Sequence, residues 1–325
     1  MDRTELDLFA GSVAGALART GGADVDAALA QVGWHDALQE WGGPAIGVVL
    51  EAQGRATATS GALDDVLATA CGLATPHAVL LPRLGGHALP AHVDGNRITV
   101  HAHAGSRLAH ADRVAILVGD DDEVAVIEVP AEALTRTAVQ GIDPDLGLLS
   151  VTADLSRDEV GDGTEVDWDR VLAFGRIAVA SELVGVARAT LELGIDHANS
   201  RIQFGAPIAA FQAVRHRLAD TFVTVEGAAA AVAACCDQAG PGGPEPLTPA
   251  HALMAKALAG NAARLATKHV QQVLAGIGFT AEHPFHHHLR RAMLLERMLG
   301  STDDLTAETG RLAIAQGRVP MELAL

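Results

Sequence analysis

A long periodic pattern of apolar residues, which begins just after the midpoint, limits the folds open to this chain. From Asp167 to Ser200, apolar side chains recur every three or four residues, among them Leu172, Val179 and Leu183. This spacing places them on one face of a single long helix. Long antiparallel helices joined by short loops form a bundle. The further helices of that bundle are predicted at about residues 211–239, 249–274, 284–299 and 303–315.

Two different patterns precede this bundle. Residues 1 to about 73 show helical spacing, interrupted at Gly21-Gly22 and at Gly42-Gly43-Pro44. From His77 to about Val151, short apolar runs with β-branched residues alternate with turn signals such as Asp94-Gly95-Asn96. Runs of this kind predict antiparallel strands in a small β-domain or barrel.

The order of helices, strands and helices predicts an α+β fold with segregated layers. We divide it into an N-terminal helical domain (1–74), a small middle β-domain (75–155) and a C-terminal four-helix-type bundle (156–325). Residues 156–165 are acidic and contain glycines, so they are interpreted as a linker. With 49% hydrophobic residues in 325, the chain can bury a full core. That core must consist mainly of Ala, Leu and Val, because aromatic residues are 3% and tyrosine is absent.

Charge and cysteine usage limit the function classes. The formal net charge of −17 provides no basic footprint for nucleic acid. The three cysteines, at 71, 235 and 236, form no framework of spaced pairs, which fits a reducing, cytoplasmic setting. We expect no membrane span, since no stretch of about 18 uninterrupted apolar residues occurs, and no signal peptide at the N-terminus.

The first segment with binding chemistry follows the long helix and reads RIQFGAPIAAFQ. Arg201 offers a forked guanidinium that can hold a diphosphate through two parallel hydrogen bonds. Gln203 and Gln212 offer amides that both donate and accept, as a nucleotide requires. Phe204 offers a flat apolar face. The alternative is a helix hairpin with a Gly-Pro turn, an exposed arginine and a buried phenylalanine.

The second such segment reads QVLAGIGFTAEHP and begins at Gln272. Small residues at positions 275, 276 and 278 let the backbone approach a bulky ligand or another subunit closely. Pro284 then stands where a helix can start. The alternative is a glycine-rich turn between two helices.

Together, the two segments resemble the acyl-CoA dehydrogenase family, with its R-x-x-F-G-x-P-I-x-x-F-Q and Q-x-x-x-G-x-G-F-T-x-E-H-P motifs. They stand in the family's order and at its usual separation, and weaker similarity covers most of the remaining chain. The resemblance implies an FAD-dependent oxidoreductase that dehydrogenates an acyl-CoA thioester. In that family, the first segment reaches across a dimer interface to the FAD of the neighbouring subunit.

By position in the motifs, the resemblance implies a role for each matching residue. Arg201 would hold the pyrophosphate of FAD, and Gln272 with Ala275 and Gly276 would contact its adenosine side. The residues implied to line the rest of the cofactor are Gln203, Phe204, Phe211 and Gln212.

The resemblance fails at the catalytic base, a glutamate that removes the α-proton of the acyl group. Most members carry it just before the Gly-Thr of the last motif, where this chain has Leu299. Others carry it on the first bundle helix beside an arginine, where this chain has Gly175. Glu182 and Glu296 are nearby carboxylates, but each lies about one or two helical turns from a vacant position, so each should point elsewhere.

Further departures support a shared active site. The family's flavin-covering T-E-P and W-x-T strands have no clear counterpart in residues 75–115. Arg176 either positions substrate or flavin or pairs with a local acid. The motifs that reach a neighbour's FAD therefore survive, while those that hold a subunit's own flavin ring and substrate are eroded.

This asymmetry resembles the base-less subunit of bacterial acyl-CoA dehydrogenases built from two different chains, such as those acting on steroid side chains. The implied function is an enzyme subunit of fatty acid or steroid side-chain β-oxidation, active with a catalytic partner in an α2β2 heterotetramer. One alternative is an autonomous homo-oligomeric dehydrogenase with a relocated base. Another is a non-catalytic scaffold or acyl-CoA-binding protein of the same fold.

Three conspicuous clusters are assigned no function. Three consecutive imidazoles, His286 to His288, point in different directions on a helix and cannot easily share one ion, so no metal site is predicted. The acidic runs Asp120–Asp122 and Asp303–Asp304 are interpreted as a solvated turn and a helix start.

Overall fold

A computed structural model describes residues 3–20, 24–119, 123–161, 163–243 and 246–317. The predicted interruption at Gly21-Gly22 and the predicted solvated turn at Asp120–Asp122 lie outside these residues. Within them, the predicted α+β order of helices, strands and helices is confirmed.

The N-terminal part consists of helices, as its spacing predicts. Helix α1 buries Phe9, Val13 and Leu17 on one face, one to two turns apart. Pro44 stands in the first turn of α4, where its missing N–H costs nothing. The five helices are α1 (Arg3–Thr20), α2 (Val25–Gln31), α3 (Trp34–Trp41), α4 (Gly43–Ala56) and α5 (Ala62–Ala70).

The middle part forms one sheet with its own hydrophobic core. The strands are β1 (Ala78–Val79), β2 (Ala91–Asp94), β3 (Arg97–Ala104), β4 (Arg113–Gly119), β5 (Val124–Pro130), β6 (Thr135–Ala138), β7 (Leu149–Ser156) and β8 (Thr164–Glu165). Their order is β6-β7-β3-β2-β4-β5-β8, with β1 beside β4. Most pairs are antiparallel, as predicted, but β4 pairs in parallel with both β1 and β2. Strand β3 alternates faces and buries Ile98, Val100 and Ala102.

The predicted linker at 156–165 is in part regular structure. Residues Arg157–Val160 form a short helix, α6, and β8 pairs with β5 at the edge of the sheet. Gly163 has φ +76° and lies so close to β5 that an added Cβ would stand 2.5 Å from the carbonyl oxygen of Val126. The glycine that reads as a linker signal therefore permits close contact with the sheet.

The C-terminal bundle is built around one central helix. Helix α7 (Trp168–Ser200) begins where the Asp167 side chain accepts a hydrogen bond from Arg170 N, and it packs against α4, α5, α8, α9 and α10. The other helices are α8 (Gln212–Gln238), α9 (Pro249–Leu274), α10 (Phe285–Leu295) and α11 (Thr302–Gln316). These bounds confirm the predicted helices, except that α10 ends at Leu295, four residues before the prediction.

Two glycines bring the N-terminal helices and the bundle together. A Cβ added to Gly54 of α4 would stand 2.1 Å from Glu182 O, and one added to Gly185 of α7 would stand 2.0 Å from Glu51 O. The two backbones are therefore in direct contact, which larger residues would prevent. Helix α8 is, by length and composition, apolar enough to cross a membrane, although 39% of its most apolar window is buried in the fold. One such helix is weak evidence for a span.

Candidate cofactor site and the base position

A surface cleft of 340 Å³ brings together side chains from the two binding segments. Its lining includes Gln203, Phe204 and Phe211 from the first segment and Gln272 from the second. Phe204 is 93% exposed, so the alternative of a buried phenylalanine at this position is wrong. Its ring meets that of Phe211 edge to face, with centroids 6.0 Å apart.

The local backbone explains why Phe204 is exposed. Helix α7 ends at Ser200, and two short strands follow, β9 (Ile202–Gln203) and β10 (Ala206–Pro207), which pair as a hairpin. Phe204 and Gly205 form its two-residue tip with φ of +52° and +80°. Positive φ at both positions is the geometry of a tight hairpin turn, and it directs the Phe204 ring outward.

The other predicted cofactor residues lie on the same two segments but do not line the cleft. Arg201 is exposed at the end of α7, and Gln212 is the exposed first residue of α8. Ala275, at φ +51°, ends α9 and is exposed together with Gly276. Space around Gly276 is open, since a Cβ there would meet nothing within 4 Å.

The two positions at which the resemblance predicts a base, Gly175 and Leu299, face the same point in the fold. A Cβ added to Gly175 would stand 2.7 Å from Leu299 Cδ1 and 2.9 Å from Leu67 Cδ2. Leu299 is 2% exposed and belongs to the turn that follows α10. The point where a glutamate would reach from either position is thus occupied by leucine side chains.

Two buried basic side chains donate hydrogen bonds to the backbone of this turn. Lys256 Nζ donates to Glu296 O at 2.7 Å and to Gly300 O at 2.8 Å, and Arg176 Nε donates to Leu299 O at 3.3 Å. Burial lowers the pKa of Lys256 to about 7 and that of Arg176 to about 10. Sequence reasoning assigned no role to Lys256. Its signal is a single lysine within the otherwise apolar run A-L-M-A-K-A-L-A.

Glu182 is held in a buried ion pair. Its carboxylate accepts from Arg291 Nη1 at 2.8 Å, and Arg291 Nε donates to Asp143 at 2.6 Å. The remaining N–H groups of Arg291 reach the carbonyl oxygens of Thr57 and Ala58 and the Thr59 hydroxyl. Burial raises the pKa of Glu182 against the opposing charge of Arg291.

Glu296 has a capping contact of its own. Its Oε1 accepts a hydrogen bond from Thr302 N at 2.9 Å, which satisfies a free donor at the start of α11.

No group of three or more potential metal ligands occurs within the described ranges of the chain. The rings of His286 and His287 stack on one another with centroids 3.9 Å apart.

Known proteins resemble this chain in sequence and in fold. A sequence profile described as "Acyl-CoA dehydrogenase, C-terminal domain" matches residues 161–311. Acyl-CoA dehydrogenase IpdE2 of Mycobacterium tuberculosis is 32% identical over 199 residues, which cover 59% of this chain and 60% of that protein. Residues 161–311 therefore match the C-terminal domain of the acyl-CoA dehydrogenase family. The chain spans less than two thirds of the length of IpdE2. Members of the family bind FAD.

Two solved structures share the fold over almost the whole chain. The Tcur3481-Tcur3483 steroid ACAD superimposes with a TM-score of 0.78 at 19% identity, covering 97% of this chain and 98% of that one. The ChsE4-ChsE5 complex from Mycobacterium tuberculosis superimposes with a TM-score of 0.73 at 18% identity, again covering 97% and 98%. At these identities the likeness establishes the fold.

Proposed function

We propose that this chain is a subunit of an FAD-dependent acyl-CoA dehydrogenase and completes an FAD site across a subunit interface. A partner chain supplies the catalytic base. The observation that carries the proposal is the contrast between two places in the fold. The base position holds Leu299 packed on Gly175, whereas the cofactor cleft around Phe204 opens to the outside.

The residues at the cleft fit a dinucleotide. The Phe204 and Phe211 rings offer exposed apolar surface for a flat group, and the amides of Gln203 and Gln272 can donate and accept at polar edges. Arg201 would meet the pyrophosphate. When bound, FAD accepts the hydride that leaves the β-carbon of the acyl group. The residues of this chain would bind and orient it.

The nearby carboxylates support an external base. A general base must reach the proton that it removes. The Glu182 carboxylate is hydrogen-bonded to Arg291, and the Glu296 carboxylate caps α11. For either to act, it would have to leave these partners. This disfavours an autonomous dehydrogenase with a relocated base.

The partner and substrate follow from the same family. We infer an acyl-CoA thioester as substrate, in fatty acid or steroid side-chain oxidation, and a second, catalytic dehydrogenase chain as partner in an α2β2 assembly. The solved neighbours support this, since one is named as a complex of two proteins and the other carries a paired name.

The cysteines at 71, 235 and 236 are free and buried. A cytoplasmic location stays a prediction.

The test is flavin content, sedimentation and acyl-CoA oxidation of this chain alone and co-expressed with the acyl-CoA dehydrogenase encoded nearest to it. We expect a colourless, inactive chain alone and a yellow, active heteromer. In the heteromer, Arg201→Ala should release flavin, whereas Arg264→Ala, an exposed arginine paired with Asp303, should not. A single chain that binds one FAD and oxidises butyryl-CoA or a longer acyl-CoA unaided would refute the proposal.

A further inference from the structure

We propose that Arg217, which neither binding motif includes, is a further cofactor-binding residue that holds the phosphate next to the adenosine of FAD. This inference rests on the proposed function and extends it by one residue. Arg217 lies on α8 and lines the same cleft as Gln203, Phe204, Phe211 and Gln272.

Arg217 is the one charged side chain among the described residues that line this cleft. No carboxylate lines it, so the cleft has positive charge in a chain whose formal net charge is −17. The remaining lining is apolar and consists of Ile208, Ala213, Val214 and Val273. An anionic ligand with a flat apolar part fits this combination.

Arg217 also lacks an ionic partner among the described residues. Arg188 shows what a paired arginine looks like here, since it donates to Glu51 at 2.7 Å and to Glu226 of α8 at 2.8 Å. Asp220 stands one turn beyond Arg217, yet no ion pair joins the two within the described part of the chain. The pKa of the neighbouring His269 is lowered, first by burial and then in part by the charge of Arg217. The charge of Arg217 is therefore available to a ligand.

A cross-link between α8 and α9 fixes Arg217 relative to Gln272. The Thr221 hydroxyl donates to Arg217 O at 2.8 Å and lies 2.8 Å from His269 Nδ1 of α9. His269 and Gln272 are three residues apart, so they stand on the same face of α9. The guanidinium and the Gln272 amide are thus presented to the cleft by two helices that are tied together.

The position of Arg217 in the cleft indicates which phosphate of FAD it would bind. The resemblance places Gln272 on the adenosine side of FAD and Arg201 on its pyrophosphate. Arg217 shares the cleft with Gln272, whereas Arg201 does not line it. A diphosphate carries two negative charges, and a second guanidinium can hold its adenosine-proximal oxygens with paired hydrogen bonds.

The experiment measures FAD affinity of the flavin-depleted heteromer, with Arg217→Ala, Arg217→Lys and a control, Arg215→Ala. Arg215 is an exposed arginine on the same helix that does not line the cleft. We expect Arg217→Ala to weaken FAD binding about 10–100-fold, Arg217→Lys to weaken it less, and Arg215→Ala to leave it within about twofold.

Competition against FAD by ADP and by adenosine identifies the contact. Arg217→Ala should raise the inhibition constant of ADP and leave that of adenosine unchanged. Only ADP carries the phosphates that Arg217 would bind. Equal increases for both, or FAD affinity within about twofold of the wild type, would overturn the assignment. A wild-type heteromer that never retains FAD would instead overturn the proposed function and this assignment with it.

Discussion

Arg291→Met tests whether the buried ion pair of Glu182 is structural. The Arg291 side chain is 1% exposed, and its partners Glu182 and Asp143 are 4% and 5% exposed. Methionine has similar bulk but no donors, so the change leaves two carboxylates buried without a cation. Breaking a buried pair in this way costs about 3–5 kcal/mol. At about 2–4 °C per kcal/mol, the melting temperature should fall by roughly 6–20 °C.

The loss should depend on pH in a defined direction. Burial raises the pKa of Glu182 although Arg291 opposes the rise. Without the guanidinium, the pKa of Glu182 in the folded state rises further, and the native state holds a proton that the unfolded state releases. The stability contributed by that proton is present below the unfolded pKa of Glu182 and is lost as pH rises through the folded pKa. Arg291→Met should therefore be less damaging at about pH 5 than at about pH 8.

Thermal and denaturant unfolding of the purified protein at both pH values measures the effect. Arg264→Met is the matched control, because Arg264 is half exposed and its pair with Asp303 faces solvent. A surface pair of this kind contributes about 0–1 kcal/mol. If the two variants lose the same stability, or if the Arg291 variant is less stable in acid, the assignment of Glu182 to a structural network is refuted.

Gly185→Ala should destabilise the fold by about 3 kcal/mol, because its Cβ would stand 2.0 Å from Glu51 O, whereas Gly227→Ala on the open face of α8 should stabilise it by about 0.5–1 kcal/mol. Denaturant midpoints of the two variants check this, and similar values for both would contradict it. Burial raises the pKa of Asp64 to about 7 against a hydrogen bond from Val79 N, so stability should fall as pH rises from about 4 to 7. Asp64→Asn should reduce this dependence of stability on pH when unfolding is measured across the same range. An unchanged pH dependence would mean that another group causes it.

The helices could be predicted because their signal is long and local. Helix α7 extends over nine turns of regular spacing, so one or two atypical residues do not hide it, and α9 was predicted with both of its ends. Strand β8 has two residues and therefore no periodicity of its own. Pairing with β5 defines it, and the glycines at 161 and 163 look like a loop in sequence.

The candidate site could be predicted only where a motif is contiguous. Phe204 and Phe211 stand in one segment, and the resemblance supplied their role. Arg291 and Glu182 are 109 residues apart, and only the fold brings them together. The same holds for Arg217, whose place in the cleft depends on how α8 packs against α9. Neither contact produces a recognisable pattern of residue spacing in the sequence.

The turn around Leu299 has a backbone conformation that is unfavourable for a leucine. Leu299 has φ +57°, a conformation that costs a residue with a Cβ about 1–2 kcal/mol. It persists because Lys256 and Arg176 bind the carbonyl oxygens of residues 296, 299 and 300. A buried lysine whose hydrogen-bond acceptors are backbone carbonyl oxygens is itself costly. The hydrogen bonds from Lys256 and Arg176 offset these two costs only while the turn keeps this shape. These hydrogen bonds reach only backbone oxygens of the turn, so they do not depend on which side chain stands at position 299.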